Sequence, residues 1–329
     1  MAADGSTKVV ISAVAGNSFV TLIKLQGWIV SGSPSMLAEA IHSLADTFNQ
    51  FLLFIGIKQG QRMPSRAFPR GYGQSRYLWN LISAVGIFFV GFGVTTYHGI
   101  HSLLYPEPPS AEIWLPLGIL IAALIIESIP LQMAIKEVIR QKNEMSFEYL
   151  RTSDDPTTLG VLFEDGIAVF GVTLALAGVY FSQHFNSNLP DAIAAILIGL
   201  LLGIMAVALA FINGRFLIGR ALPRAKEEEM KKFIRQIEYI EKIVKFETEV
   251  LAPGRCHMHL EVELHGGVMV PREEIEKDVQ EIRNGELPAK VLVETAERMV
   301  RIVGNNINEI ESKIRKQYPE VVSIALEIN

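Results

Sequence analysis

Glu39, His42, Asp46 and Asn49 follow one another at intervals of three, four and three residues within an otherwise apolar stretch. At about 100° per residue, a helix keeps all four within about 80° on one face. Leu44, Phe48 and Leu52 take the opposite face. An imidazole and a carboxylate one turn apart can converge on a single ion, and such a pair suits zinc better than softer or harder divalent metals. The alternative use of the same groups is internal: a hydrogen-bonded cluster between helices, or His42 simply pairing with Asp46. Further along, Glu164 and Asp165 stand side by side. Neighbouring helical residues diverge by about 100°, so only one can point directly at a site that the other borders. Asp165 is followed by Gly166-Ile167-Ala168, small enough to let another helix come close. Lys24 is the one cation expected in mid-span, placed either to neutralise a carboxylate or to snorkel to an interface. Glu127 is expected either to carry a proton or to hydrogen-bond within a helix bundle. Carboxylates and a histidine around one polar interior make a site for a divalent cation, and they take up protons when the metal leaves.

These residues need long apolar helices to hold them. Half of the 329 residues are hydrophobic and one in five is charged, with a mean hydropathy of +0.30. The apolarity is concentrated before about residue 215. Crossing the hydrocarbon core takes about 20 mostly apolar residues, and six stretches qualify: 9–30, 35–57, 78–101, 113–135, 157–181 and 191–211. The first is not read as a cleavable signal, because it carries Asn17 and Lys24 and lacks a small-x-small site. An ionisable residue at mid-membrane costs about 2.5–3.5 kcal/mol, which makes each of those named above a functional question.

Basic residues set the orientation. Lys58, Arg62, Arg66, Arg70 and Arg76 follow the second stretch, Lys136, Arg140, Lys142 and Arg151 the fourth, and Arg215, Arg220 and Arg224 the sixth. The three remaining loops contain no Lys or Arg, so both termini are expected on the cytoplasmic side. The division falls into a six-helix transmembrane domain over 1–215 and a cytoplasmic domain over 216–329. In the latter, a helix is expected over 224–240, strands over 243–251 and 256–264, a long charged helical stretch broken at Asn284-Gly285, and a last strand over Val321–Ile328. Helix–strand–strand–helix–strand is an α+β pattern of the ferredoxin-like kind.

Several classes are excluded. A net charge of −5 disfavours nucleic acid as a partner. One cysteine, Cys256, permits no internal disulfide. No G-x-x-x-x-G-K-[ST] or H-E-x-x-H occurs, which argues against ATP as energy source and against an intramembrane metalloprotease. The expectation is a transporter, not an enzyme.

The run Ser33-Pro34-Ser35-Met36-Leu37-Ala38-Glu39-Ala40-Ile41-His42-Ser43-Leu44-Ala45-Asp46, with Arg70-Gly71-Tyr72-Gly73 and Gly219-Arg220-Ala221-Leu222-Pro223, resembles the cation diffusion facilitator family over almost the whole chain. Asp155-Pro156-Thr157-Thr158, Leu162-Phe163-Glu164-Asp165 and Tyr318-Pro319-Glu320-Val321-Val322 resemble its zinc transporter nine type. The resemblance implies a six-span homodimeric antiporter in a lipid bilayer, moving zinc or a related ion out of the cytoplasm against protons, with a metallochaperone-like tail and no resident cofactor. It carries the family's first ligand pair onto His42 and Asp46 and one member of the second onto Asp165. The position four before Asp165 is Val161, which cannot bind metal. The fourth ligand therefore falls to Glu164, Glu39 or water, or the ion differs from zinc. Ser65, Phe68 and Tyr72 stand where some members carry loop ligands, and Ala325 where the tail would have a histidine, with Glu327 at the acidic position. No metal site is expected in that loop.

Along the strand over 256–264, Cys256, Met258, Leu260, Val262 and Leu264 alternate with His257, His259, Glu261, Glu263 and His265. His257 and His259 could chelate a metal, though a half-buried strand with a solvated side explains the same alternation. The reading is a proton-coupled exporter of a divalent cation, zinc first, in a bacterial inner membrane or an organelle membrane. Iron, manganese or cobalt is the alternative cargo, and a non-transporting membrane sensor or scaffold the alternative class.

Overall fold

A computed structural model describes residues 2–108, 112–142, 156–266 and 272–329. The chain divides into two compact units, Met1–Leu217 and Ile218–Asn329. Among the described residues the first unit is built from six long helices: α1 (Ala2–Ser31), α2 (Pro34–Gly60), α3 (Ser75–Leu104), α4 (Trp114–Lys142), α5 (Pro156–Phe185) and α6 (Leu189–Ile218). Three residues make the turn from α1 into α2. Gly32 takes φ +65°, where a side chain would be strained. The Ser33 hydroxyl then accepts the Met36 amide at 3.1 Å, and Pro34 opens the helix where no amide hydrogen is needed.

Four helices are long and apolar enough to cross a membrane, by length and composition and among the described residues: Ser75–Leu104, Trp114–Lys136, Leu162–Phe185 and Leu189–Ile218. The 27-residue α2 has the length, but Glu39, His42, Asp46, Asn49 and Gln50 depress its hydropathy. Phe89, Ile204 and Phe211 point outward, 69, 64 and 72% exposed, and form a surface suited to hydrocarbon rather than water. Met36, Leu120, Val172, Ile198, Leu202 and Met205 pack inside.

Small residues decide how closely the helices cross. A Cβ on Gly99 of α3 would lie 2.7 Å from the Ile196 side chain and 3.0 Å from its backbone nitrogen on α6. One on Gly199 of α6 would lie 3.1 Å from the Thr96 nitrogen, so these two backbones meet where neither helix has a side chain. Within the small run Gly166-Ile167-Ala168, nothing lies within 4 Å of a Cβ on Gly166, while Ala168 is buried and Ile167 packs on the core. The neighbouring helix reaches α5 further along, where a Cβ on Gly178 would meet Ala194 at 2.7 Å. A small residue permits an approach without specifying where it falls.

The second unit runs α7 (Arg224–Ile234), β1 (Ile240–Ala252), β2 (Arg255–Leu264), α8 (Arg272–Arg283), α9 (Pro288–Gln317) and β3 (Val321–Ile328). Its sheet has the order β1-β2-β3, with β1 antiparallel and β3 parallel to β2. A parallel return needs a crossover, which α8 and α9 supply. Met230 and Ile234 of α7 and Ile310 and Ile314 of α9 pack on Cys256, Met258, Leu260 and Val262. The alternation along β2 thus separates a buried face from a polar one. The expected helix over 224–240 ends early, at Ile234. Two tight turns follow, with Ile237 N–H donating to Ile234 O and Ile240 N–H to Ile237 O. They keep buried isoleucines three residues apart, so the sequence imitates another helical turn. The expected break at Asn284-Gly285 separates α8 from α9, with Gly285 at φ +99°.

Two outcomes follow from this packing. Gly99→Val forces a branched side chain against the Ile196 backbone, and should cost about 1–3 kcal/mol, the scale of overpacking; melting in detergent at the wild-type temperature would contradict the tight crossing. Cys256 is 1% exposed, and burial, with Glu320 adding to it, pushes its thiol up to about 11. At pH 8 about 0.1% is thiolate, so maleimide should label the folded protein slowly and the denatured protein fast. Equal rates in the two states would contradict the burial.

Candidate metal centre

The stripe on α2 is buried at Glu39 and His42 and partly buried at Asp46 and Asn49. Glu39 is 0% and His42 1% exposed, and the Asp46 side chain 15%. His42 Nε2 lies 3.1 Å from Asp46 Oδ2, one helical turn away. Two ligand atoms on a tetrahedral zinc ion at about 2.0–2.1 Å are separated by about 3.3 Å, so this pair already has the bite of a chelate. His42 Nε2 is engaged by Asp46 Oδ2, while His42 Nδ1 and Asp46 Oδ1 have no hydrogen-bond partner. Buried polar atoms are ordinarily satisfied, and an orphaned set on one patch requires an explanation.

Across from this pair runs α5. Asp46 is close enough to both Glu164 and Asp165 to interact with their charges. Glu164 Oε1 accepts the Asn49 side-chain amide at 3.1 Å, while Asp165 Oδ2 is buried without a partner. Of the five sequence-predicted residues, four lie on α2 and α5 within electrostatic reach through Asp46 and Glu164: His42, Asp46, Glu164 and Asp165. They stand as two halves, one on each helix. Among the described residues, no three His, Cys, Asp or Glu side chains gather closely enough to hold a metal ion together. Val161 lies in α5 one turn before Asp165.

The fifth residue, Glu39, is engaged elsewhere. Its Oε2 receives the Lys24 ammonium at 2.8 Å, and Lys24 reaches Glu127 Oε1 at 2.7 Å. Lys24 is 1% exposed, so it neutralises carboxylates and does not snorkel, and Glu127 bonds within the bundle. The triad ties α1, α2 and α4 together. Removing one partner from such a buried pair costs about 3–5 kcal/mol, because it strands the other charge. Gly171 of α5 gives Glu39 its room, since a Cβ there would sit 2.6 Å from Glu39 Oε1.

Asp191 was not singled out from the sequence as a site residue. It is 3% exposed in the first turn of α6 and accepts a hydrogen bond from the Ser35 hydroxyl, joining the starts of α2 and α6. The available signal was an acid in the first turn of the most apolar helix, just after Pro190. In the loop after α2, the Ser65 and Tyr72 hydroxyls bond each other at 3.1 Å and the Phe68 ring lies 4.6 Å from that of Tyr72. On the polar face of β2, His257 Nδ1 pairs with the Ser323 hydroxyl at 3.0 Å. His259 sits between Glu247 and Glu327, 3.4 Å from each. The two histidines share a face but have different partners.

Residues 10–218 match the cation efflux transmembrane domain. The chain is 32% identical over 335 residues to the mouse "proton-coupled zinc antiporter SLC30A9, mitochondrial", across 98% of this chain and 59% of that protein. It is 31% identical to "metal tolerance protein C4" of Arabidopsis thaliana, across 98% of this chain and 73% of that one. A more distant relative, "cation-efflux pump FieF" of Shewanella oneidensis, is 24% identical over 67% of this chain and 69% of its own. The chain thus spans about 59% of the length of its mouse relative. A match through all six helices, together with near-complete coverage by relatives above 30% identity, establishes that the chain belongs to the cation efflux family.

Proposed function

We propose that this protein exports a divalent cation, zinc first, across a membrane in exchange for protons. The observation that carries this reading is the buried His42–Asp46 pair facing Asp165 and Glu164, with unpartnered atoms on His42, Asp46 and Asp165. The names of the mouse and Arabidopsis relatives support it. All six helices cross the bilayer in this reading, α1 and α2 included, because α2 is shielded on its polar face by the helices it packs against. The loops after α2 and α4 and the residues after α6 carry the basic residues, which puts both termini on the side from which cargo is taken. The tail follows the ferredoxin-like order of elements, and the family resemblance carries a homodimer. The mouse relative is named mitochondrial, which supports an organelle membrane.

The ion is held by His42, Asp46 and Asp165, with Glu164 as the fourth ligand once Asn49 releases it. Glu39 is left out, because it already serves Lys24. One imidazole and carboxylate oxygens make a borderline-to-hard donor set that fits zinc and excludes strongly thiophilic ions. Zinc requires neutral imidazole and ionised carboxylates, so metal and protons compete for the same atoms. Each ion that leaves exposes those atoms to protons from the side it enters, and a proton gradient drives the cycle without ATP.

The test is zinc flux in proteoliposomes. Export from the tail side should accelerate when the opposite side is made acidic, that compartment should become more alkaline as zinc arrives, and zinc binding should weaken as pH falls. Asp46→Asn and Asp165→Asn should abolish flux in folded protein, and Glu164→Gln should weaken binding about tenfold or more, the scale of a group in the metal's shell. Zinc binding with no flux under any gradient would identify a sensor. Wild-type flux in Asp46→Asn or Asp165→Asn would overturn the site.

A further inference from the structure

The chain holds a second convergence of carboxylates, one turn from the first. Glu39 precedes His42 by three residues on the same face of α2. Its Oε2 and Glu127 Oε1 of α4 point at one position, which the Lys24 ammonium of α1 occupies at 2.8 and 2.7 Å. Each carboxylate also has an oxygen without a hydrogen-bond partner, Glu39 Oε1 and Glu127 Oε2. Two carboxylates that each place one oxygen at a shared position form a hard donor pair of the kind that binds divalent cations. An ammonium is a compact charge with three donors and no acceptor. Here it fills the position a metal would take, and the methylene stem that carries it is buried with it. Glu39 is also held from behind, because Gly171 leaves only enough space for its carboxylate.

Resting on the proposed transport site, we infer that Lys24 is a specificity-determining residue: a tethered cation that closes the Glu39–Glu127 position to divalent metal and confines the cargo to one ion per protomer. Without it, the polar face of α2 offers two adjacent cation positions, and an ion can lodge at the one that lacks the imidazole. Lys24 also cancels one of the two negative charges beside His42. Both Lys24 and Glu39 lie close enough to act on that imidazole electrostatically.

The experiment is zinc binding by the purified full chain, with zinc chloride alone as probe and metal content measured after equilibrium dialysis. The wild type should bind about one ion per protomer at the transport site, and Lys24→Met about two, since it removes the charge and keeps the stem. Lys24→Arg should remain at about one, and Lys24→Met with Glu39→Gln and Glu127→Gln should return to one, which excludes adventitious zinc on the tail histidines. In Lys24→Met with Asp46→Asn, the ion that remains should be the one held by Glu39 and Glu127. Loss of zinc from Asp46→Asn alone tests the transport site separately. Folded Lys24→Met that binds the same single ion as the wild type would overturn the inference. Should Lys24→Met fail to fold, Glu39→Gln decides. It should keep zinc affinity within about threefold of wild type, short of the tenfold or more expected for a group in the metal's shell. A loss as large as that of Asp46→Asn would make Glu39 a ligand and sink the role given to Lys24.

Discussion

An ionised group inside an apolar bundle must be matched, and the first unit is arranged around that constraint. Isolated buried charges are so costly that they persist only when paired or hydrogen-bonded. Lys24 matches Glu39 and Glu127, Asn49 donates to Glu164, and Ser35 donates to Asp191. Each match joins different helices, so the same bonds that make the charges tolerable also fix the bundle. What remains unmatched is therefore informative. His42, Asp46 and Asp165 keep buried atoms without partners on the facing surfaces of α2 and α5. Glu39 and Glu127 also keep one unpartnered oxygen each, but their other oxygens hold Lys24. Among the described residues no lysine or arginine is paired with Asp46 or Asp165, and the proposed function gives that place to an ion that comes and goes.

Positions without side chains set where the facing surfaces meet. Gly99 and Gly199 bring α3 and α6 together, and Gly171 admits Glu39 beside α5. The proposed ligands sit on helices rather than loops, which keeps their geometry rigid at the level of each half. In the proposed function the halves belong to two helices, so a small displacement of one against the other would change how many ligands reach the ion. That is the structural requirement for a site that binds on one side of a membrane and releases on the other.

Local periodicity made much of this legible in the sequence. The stripe of Glu39, His42, Asp46 and Asn49 was readable because a helix repeats every 3.6 residues, and β3 began and ended at Val321 and Ile328 because alternation marks a strand. Long-range pairings were not legible. Lys24 finds Glu127 across 103 residues and Ser35 finds Asp191 across 156, and no local pattern encodes such a choice. For the same reason Glu39 and Glu164 stood as equal candidates in the sequence, and only the position of Lys24 separated them. In the run Gly166-Ile167-Ala168 the packing falls on Ile167 and Ala168 rather than on the glycine, and the isoleucines after α7 keep a helical spacing through two turns that are not helix.

The central claim is that one ion is held by a single imidazole and carboxylate oxygens on α2 and α5. X-ray absorption at the zinc edge, on full-length protein loaded with one equivalent, reads that shell directly. The account predicts nitrogen and oxygen scatterers at about 2.0–2.1 Å with one imidazole, no sulfur, and loss of this shell in Asp165→Asn. Sulfur at about 2.3 Å would place the ion on Cys256, the chain's one cysteine, and two or more imidazoles would place it on histidines other than His42 alone. Either result would contradict a metal centre between α2 and α5.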